Sequence, residues 1–211
     1  MNLIRTKWSV ATLGLSATLL LAGAAQASLI SDTYEFAVNT TSLTGQSGYL
    51  DFEFNPGVTP FDSGSATLTG FTTDGTLTTA APPFGDVRGS LPGTVVINNT
   101  DALNDYTPGI TYGSFFDVFV TLDIPSVSGT ASGGNSFTLD VEDSGFNPLL
   151  SSTFPAVEID LDAITGNPTI TNNTSGPITV TPTPEPASFA LFGIGLALMS
   201  SWRRRAQGQA K

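Results

Sequence analysis

Residues 49–54 read Tyr-Leu-Asp-Phe-Glu-Phe, a strict alternation of apolar and acidic side chains. In an extended chain the apolar residues Leu50, Phe52 and Phe54 point to one side and the two acidic residues point to the other. This period of two predicts a β-strand that covers a core with one face and meets solvent with the other.

The same alternation returns further along the chain. Residues 137–142 (Phe-Thr-Leu-Asp-Val-Glu) and 157–162 (Val-Glu-Ile-Asp-Leu-Asp) predict two more strands with one apolar face. Residues 115–122 are denser, because Phe115 and Phe119 add aromatic side chains to the second face. We therefore expect a central strand there, covered on both faces. Two further strand candidates are residues 67–72 and 94–98.

Turn-forming residues separate these strands, among them Asn55-Pro-Gly57, Gly133-Gly134-Asn135 and Gly166-Asn-Pro168. No segment between them has a convincing helical period. Many short strands joined by turns predict one all-β domain over residues 28–180. We expect an antiparallel β-sandwich of jelly-roll-like form, with a β-barrel as the alternative.

Residues 1–27 have the layout of a secretory signal peptide. Arg5 and Lys7 precede an apolar run, and Ala25-Gln26-Ala27 offers small residues where a signal peptidase cuts. We expect cleavage between Ala27 and Ser28 and export by the general secretion machinery. An N-terminal membrane anchor is the alternative, which the shortness of the apolar run disfavours.

A second targeting signal follows the domain. A Pro/Thr-rich stalk, residues 181–186, closes with Pro184-Glu185-Pro186, and residues 187–202 are apolar or small throughout. As a helix this segment would span about 24 Å, slightly less than a hydrocarbon core of ~30 Å. The basic tail, residues 203–211, begins with Arg203-Arg204-Arg205, which favours a cytoplasmic location. The pattern predicts an exported domain held at the membrane by a short transmembrane helix.

Pro-Glu-Pro, a short glycine-containing helix and an arginine cluster, in that order, resemble the PEP-CTERM sorting signal. The resemblance implies that exosortase, an integral-membrane cysteine protease, recognises Pro184, Glu185 and Pro186 and processes the chain nearby. Anchoring would then be transient, and a membrane-anchored precursor would pass to the cell surface or extracellular matrix of a Gram-negative, polysaccharide-producing bacterium. A permanent C-terminal anchor is the alternative.

A second resemblance covers residues 38–57, VNTTSLTGQSGYLDFEFNPG. They are similar to the opening motif of an uncharacterised subfamily of PEP-CTERM proteins. In that motif Asp-Thr-Ser-x-Leu-x-Gly leads into Gly-x-Leu-Asp-Phe-Gln-Phe-Asn-Pro-Gly. Asn39 stands here where Asp is usual, and Glu53 stands where Gln is usual. The subfamily carries no biochemical assignment.

Composition restricts the possible chemistry. The chain has no His and no Cys, and residues 28–180 contain no Lys. Ser-His-Asp, Cys-His and Schiff-base mechanisms and His/Cys zinc sites are therefore excluded. Arg88 is the only basic residue in that range, which excludes nucleic acid as a partner. A glycoside hydrolase working with two carboxylates is the enzyme class that survives, and we expect no enzyme.

Acidic residues on two predicted strands raise the alternative of a calcium site. Glu158, Asp160 and Asp162 follow one strand face at intervals of about 6.6 Å. Calcium ligands lie about 2.3–2.6 Å from the ion, so a second group would have to complete the site. The members of that second group are Asp140, Glu142 and Asp143. We favour a solvated outer strand face for these residues and expect no cofactor.

Sugar binding is a further alternative. Trp8 and Trp202 both lie in the terminal segments, so the amphipathic aromatic candidates of the domain are Tyr34, Tyr49, Tyr106 and Tyr112. We expect most phenylalanines of the domain to lie in the core. The sequence favours a non-enzymatic structural or adhesive protein of the cell envelope or extracellular polysaccharide matrix. A carbohydrate-binding module, with or without calcium, is the alternative.

Overall fold

The structure is a computed structural model that describes residues 30–124 and 133–183. These residues form thirteen β-strands and one short 3-10 helix, Thr41–Leu43. The strands are β1 (Ile30–Asn39), β2 (Ser47–Pro56), β3 (Ser65–Thr73), β4 (Thr76–Leu77), β5 (Asp86–Gly89), β6 (Val95–Asn98), β7 (Asp105–Tyr106), β8 (Gly109–Thr111), β9 (Phe115–Ile124), β10 (Asn135–Asp143), β11 (Val157–Leu161), β12 (Pro168–Asn172) and β13 (Ile178–Thr183).

The strands form two antiparallel sheets that pack as a sandwich, as the sequence predicted. The first sheet has the order β13-β1-β9-β3-β6-β5. The second has the order β12-β11-β10-β2-β8-β4, and β7 also pairs with β2. β1 pairs with β9 in the first sheet, whereas the next strand, β2, pairs with β10 in the second. Successive strands change sheet eight times between β1 and β13, so many connections tie the two sheets together.

The alternating residues supply the core between the sheets. Leu50, Phe52 and Phe54 of β2 have no exposed surface. Phe36 of the first sheet meets Phe137 of the second edge-on, with ring centroids 5.6 Å apart. Full burial of each such side chain contributes roughly 1.5–3 kcal/mol, so these faces hold the two sheets together.

The prediction that β9 is covered on both faces is wrong, although β9 is a central strand between β1 and β3. Phe115 is 38% exposed, and Phe119 is half-buried. Phe119 packs over Gly70, where an added Cβ would lie 2.9 Å from the Phe119 ring. A local contact with a glycine therefore shelters part of the second face. More generally, only half of the twelve phenylalanines among the described residues are buried, fewer than predicted.

The domain extends further than predicted. β13 continues to Thr183, and its residues Thr181, Pro182 and Thr183 pair with Glu35, Tyr34 and Thr33 of β1. The first half of the predicted stalk therefore belongs to the edge of the first sheet. Pro182 is compatible with that position, since an edge strand has one side without a ladder.

The predicted signal peptide and its cleavage site at Ala27 and Ser28 lie outside the described residues. So do Pro184-Glu185-Pro186, the predicted transmembrane helix and the basic tail. Within the described ranges, no helix has the length and apolar character needed to cross a membrane.

Residues 38–57, which resemble the subfamily motif, include β2 and the residues that fix its position in the second sheet. Gly48 of β2 approaches β10 so closely that an added Cβ would clash with the carbonyl oxygen of Glu142. Asn55, at the other end of β2, accepts a hydrogen bond of 2.6 Å from the backbone N–H of Asn104. The motif therefore specifies the central strand of the second sheet and its contacts on both sides.

Candidate functional site

Five carboxyl groups on the outer face of the second sheet lie close together and are here called the carboxylate cluster. Residues 51 and 53 of β2 point away from the core because they alternate with buried residues, and the same holds for residues 140 and 142 of β10. β7 adds the fifth, opposite residue 53. The members of the cluster are Asp51, Glu53, Asp105, Asp140 and Glu142.

The strand register brings these groups together. Asp51 lies directly opposite Asp140, and Glu53 lies directly opposite Asp105. Side chains opposite each other in an antiparallel pair have Cβ atoms about 4.5–5.5 Å apart, and like charges there are destabilising. The cluster therefore cannot be fully ionised without cost.

Local hydrogen bonds satisfy part of the cluster. Asp140 Oδ1 accepts the backbone N–H of Ala156 at 2.7 Å. Glu53 Oε2 accepts the side-chain amide of Asn55 at 2.6 Å, and Asp105 Oδ1 lies 2.6 Å from the Thr107 hydroxyl, which donates to it. Asp51 Oδ1 and Glu142 Oε2 are buried with no hydrogen-bond partner among the described residues.

Burial shifts the titration of the cluster upward. It raises the pKa of Asp51 to about 9, with further contributions from hydrogen bonding to Asp105 and repulsion by it. Burial also raises the pKa of Asp140 to about 7, although the Ala156 N–H opposes the shift. The pKa of Glu142 rises to about 7 through burial and the neighbouring Asp140. Asp51 thus keeps its proton at neutral pH, so bound protons, and not counter-ions, reduce the negative charge of the cluster.

The described residues offer the cluster no cationic partner. The one ion pair in that part of the chain joins Arg88 to Asp86 at 3.2 Å, and it lies on the surface, with the Arg88 side chain 75% exposed. The absence of a neighbouring cation helps to explain the raised pKa values, because a carboxyl group that is buried without a cation tends to keep its proton.

The prediction of a solvated outer face is wrong for two of the calcium candidates. Asp140 is 5% exposed and Glu142 is 4% exposed. The connection between β10 and β11 runs alongside them, because Glu142 bridges to Pro148 and Ala156 donates to Asp140. The alternation of residues 137–142 indicated which side these groups take. It gave no sign that a loop would cover that side.

The remaining calcium candidates lie apart from that pair and are engaged locally. Asp143 accepts hydrogen bonds within its own turn from Gly145 and Asn147. Asp162 does the same with Ile164 and Thr165. Glu158 accepts the Ser136 hydroxyl at 2.9 Å, while Asp160 is exposed. In the part of the chain that the structure describes, no three acidic side chains are arranged to hold a metal ion.

The four tyrosine candidates differ in their burial. Three of them, Tyr34, Tyr106 and Tyr112, are buried in the core. Tyr49 is half-buried on the outer face of the second sheet, where its ring stacks on that of Phe146 with centroids 4.7 Å apart and planes 7° apart. The sequence indicated Tyr49 as a candidate but not Phe146, since nothing in the sequence pairs the two rings.

The sequence reasoning also missed Asp51, Glu53 and Asp105 as members of a site. The alternation at residues 49–54 placed two of them on the outer face, which is correct. Their joining with Asp140 and Glu142 depends on the pairing of β2 with β10, two strands far apart in the sequence. Only the register of that pair could have revealed the cluster.

A separate functional segment begins where the folded domain ends. β13 is the edge strand of the first sheet, and Thr183 is its last residue, directly before Pro184-Glu185-Pro186. The Thr183 hydroxyl donates to the backbone carbonyl of Thr33 at 2.8 Å, which fastens this end of the strand to β1. The sheet thus fixes the point from which the next segment leaves the domain.

Comparison with known families identifies that segment. The model of the PEP-CTERM protein-sorting motif matches residues 182–205, which span the predicted Pro-Glu-Pro element and the arginine cluster. Comparison with curated proteins and with solved structures gives no significant match. PEP-CTERM proteins are substrates of exosortase, so the motif implies export and processing at a membrane. The chain therefore carries, at residues 182–205, the sorting motif of PEP-CTERM proteins.

Proposed function

We propose that the protein is a non-enzymatic structural or adhesive component of the cell envelope or extracellular polysaccharide matrix, delivered there by exosortase-dependent sorting. One observation carries the proposal: a complete β-sandwich ends at Thr183, directly before Pro184-Glu185-Pro186 of the sorting motif. Processing near that element would separate the folded domain from the membrane segment without touching the sheets. Removal of residues 1–27 by signal peptidase belongs to the same route.

The carboxylate cluster supports a structural role more than a catalytic one. A glycoside hydrolase needs two carboxyl groups on either side of an accessible bond. Asp140 and Glu142 are almost fully buried, and Glu53 and Asp105 are held by Asn55 and Thr107. These contacts favour carboxyl groups that serve packing and proton storage over a pair that works on a polymer.

Fractionation of the native host tests the proposal. We expect the released protein in the washed extracellular matrix, and a strain lacking it should form a less cohesive matrix whose polysaccharide keeps its chain length. Retention of the protein in the inner membrane would contradict the sorting route. Shortening of the host polysaccharide by purified protein would instead support the glycoside hydrolase.

A further inference from the structure

Phe146 is an exposed aromatic side chain that stacks on Tyr49. Its exposure is 51%, while one of its ring faces is covered by Tyr49 at a centroid distance of 4.7 Å. The two planes differ by only 7°. The exposed part therefore includes the opposite ring face, which is presented flat to solvent.

The backbone of Phe146 has an unfavourable conformation. Phe146 has a φ of 60°, in the left-handed region that a bulky side chain seldom adopts. Asp143 secures the turn, since its Oδ1 accepts the backbone N–H groups of Gly145 at 2.7 Å and Asn147 at 3.0 Å. Asp143 N–H in turn donates to the Asn147 carbonyl at 2.9 Å. Strain held by such a network is characteristic of binding and catalytic sites.

The base of the stack is equally fixed. The Tyr112 hydroxyl lies 2.6 Å from the carbonyl oxygen of Tyr49 and 2.7 Å from that of Glu142, and it can donate to either. Gly48 lets β2 and β10 approach closely at the same point. Tyr49 therefore projects from a part of the sheet that is pinned to its neighbour, and the stacked rings are preformed for a ligand.

We propose that Phe146 and Tyr49 form a stacking platform for the pyranose rings of a neutral polysaccharide. The inference deepens the adhesive role proposed above and rests on it. A pyranose ring presents a flat patch of C–H groups with hydroxyl groups around its edge, which matches an aromatic plane bordered by polar side chains. Ser47 and Thr111 supply such a border. Ser47 lies two residues from Tyr49 on the same face of β2, and Thr111 of β8 lies directly opposite Ser47, with the two hydroxyl oxygens 3.3 Å apart.

Charge selects the class of sugar. Asp143 lies three residues from Phe146 in the same turn. Hydrogen bonds from Asn147 and Gly145 hold the pKa of Asp143 below its ordinary value, so this carboxylate is ionised at neutral pH. Arg88, the one basic residue in the described ranges, is engaged with Asp86 on the other sheet. A polymer of uronic acids would meet a surface of its own sign, whereas a neutral polymer carries no such penalty.

Binding of defined glycans to the full-length chain tests the platform. The chain is purified in a detergent without a sugar headgroup and titrated calorimetrically with a cello-oligosaccharide and a β-galactan oligosaccharide as neutral probes. Alginate serves as the anionic probe. We expect at least one neutral probe to bind and alginate to bind at least about tenfold more weakly, a difference of about 1.4 kcal/mol in binding free energy.

Three variants assign the binding to the rings. Phe146→Gly removes the ring and relieves the positive φ, so the fold is preserved while neutral-glycan affinity falls by about tenfold or more. Phe146→Trp keeps an aromatic plane and should retain binding. Phe154→Ala is the matched control, because Phe154 is exposed to a similar degree, 52%, and should bind as the unaltered chain does.

The platform is refuted if no neutral probe binds, if alginate binds as tightly as the neutral probes, or if Phe146→Gly binds like the unaltered chain. Equal losses in Phe146→Gly and Phe154→Ala would likewise overturn it, since binding would then not depend on the stack. These outcomes are distinct from failure of the proposed function. Loss of binding leaves sorting and matrix retention to be observed separately in the host.

Discussion

Replacement of Glu185 by Ala is expected to stop processing of the chain and leave the uncut precursor in the membrane. The family model covers residues 182–205, and the sequence predicts that Pro184 and Pro186 hold Glu185 in an extended, accessible backbone. β13 spans Ile178–Thr183, so Glu185 lies outside the strands of the sandwich, and we expect its replacement to leave the fold unchanged. We therefore expect an all-or-none effect on release and an unchanged melting curve.

An immunoblot of membrane and medium fractions from the native host measures this effect. Glu35→Ala is the matched control: Glu35 lies on β1 opposite Thr181, close to the same end of the domain but outside the motif. The control should be released normally. Release of the Glu185→Ala protein at the size of the natural mature form would show that Pro-Glu-Pro is not the element recognised.

The domain is expected to lose stability as the pH rises from about 5 to 9. The pKa values of Asp51, Asp140 and Glu142 are raised in the folded state, to about 9, about 7 and about 7. Unfolding returns each to about 4, so the folded state binds more protons in this interval. The stability that these groups contribute is complete below about pH 4 and is lost as pH passes through about 7 and then about 9.

Other carboxylates set the acidic limit. Hydrogen bonds hold the pKa values of Asp74, Asp143 and Asp162 below the ordinary value. Ser114 is the main donor to Asp74, whereas Asp143 and Asp162 accept from neighbours in their own turns. Their contribution is present above about pH 4 and is lost as pH falls through their folded-state values. Maximum stability should thus lie between about pH 4 and 6, which is lower than for many proteins.

Thermal melts across this range measure the profile. We expect Tm to fall by at least roughly 5–10 °C between pH 5 and 9, because ionising even one of the groups with a pKa of about 7 costs about 2–3 kcal/mol. Asp140→Asn keeps an acceptor for the Ala156 N–H but cannot ionise, so its profile should be flatter. Asp101→Asn removes the same charge from an exposed position and should leave the slope unchanged. A Tm that is constant or rises over this interval would contradict the account.

The sequence predicted the core more successfully than the outer faces. Alternation at residues 49–54 and 137–142 assigned Phe52 and Phe137 to the interior, and both are fully buried. Alternation states which side a residue takes, but it carries no information on what lies over that side. Asp140 was therefore expected in solvent and lies instead beside the connection to β11.

The candidate sites depend on contacts between distant segments, which one sequence cannot supply. Asp51 meets Asp140 only because β2 pairs with β10 in one register, and a shift by one residue would move both to the other face. Phe146 meets Tyr49 through a turn that Asp143 holds. The sorting motif was predictable, because its order of Pro-Glu-Pro, apolar segment and arginines is contiguous in the chain.

The intact mass of the protein recovered from the host's extracellular matrix tests the central claim, export and sorting through the PEP-CTERM motif, most directly. We expect a chain that begins at Ser28 and ends near Pro184-Glu185-Pro186, so that the mass lacks both terminal segments. A mass of 21.8 kDa, that of the uncut chain, would contradict it.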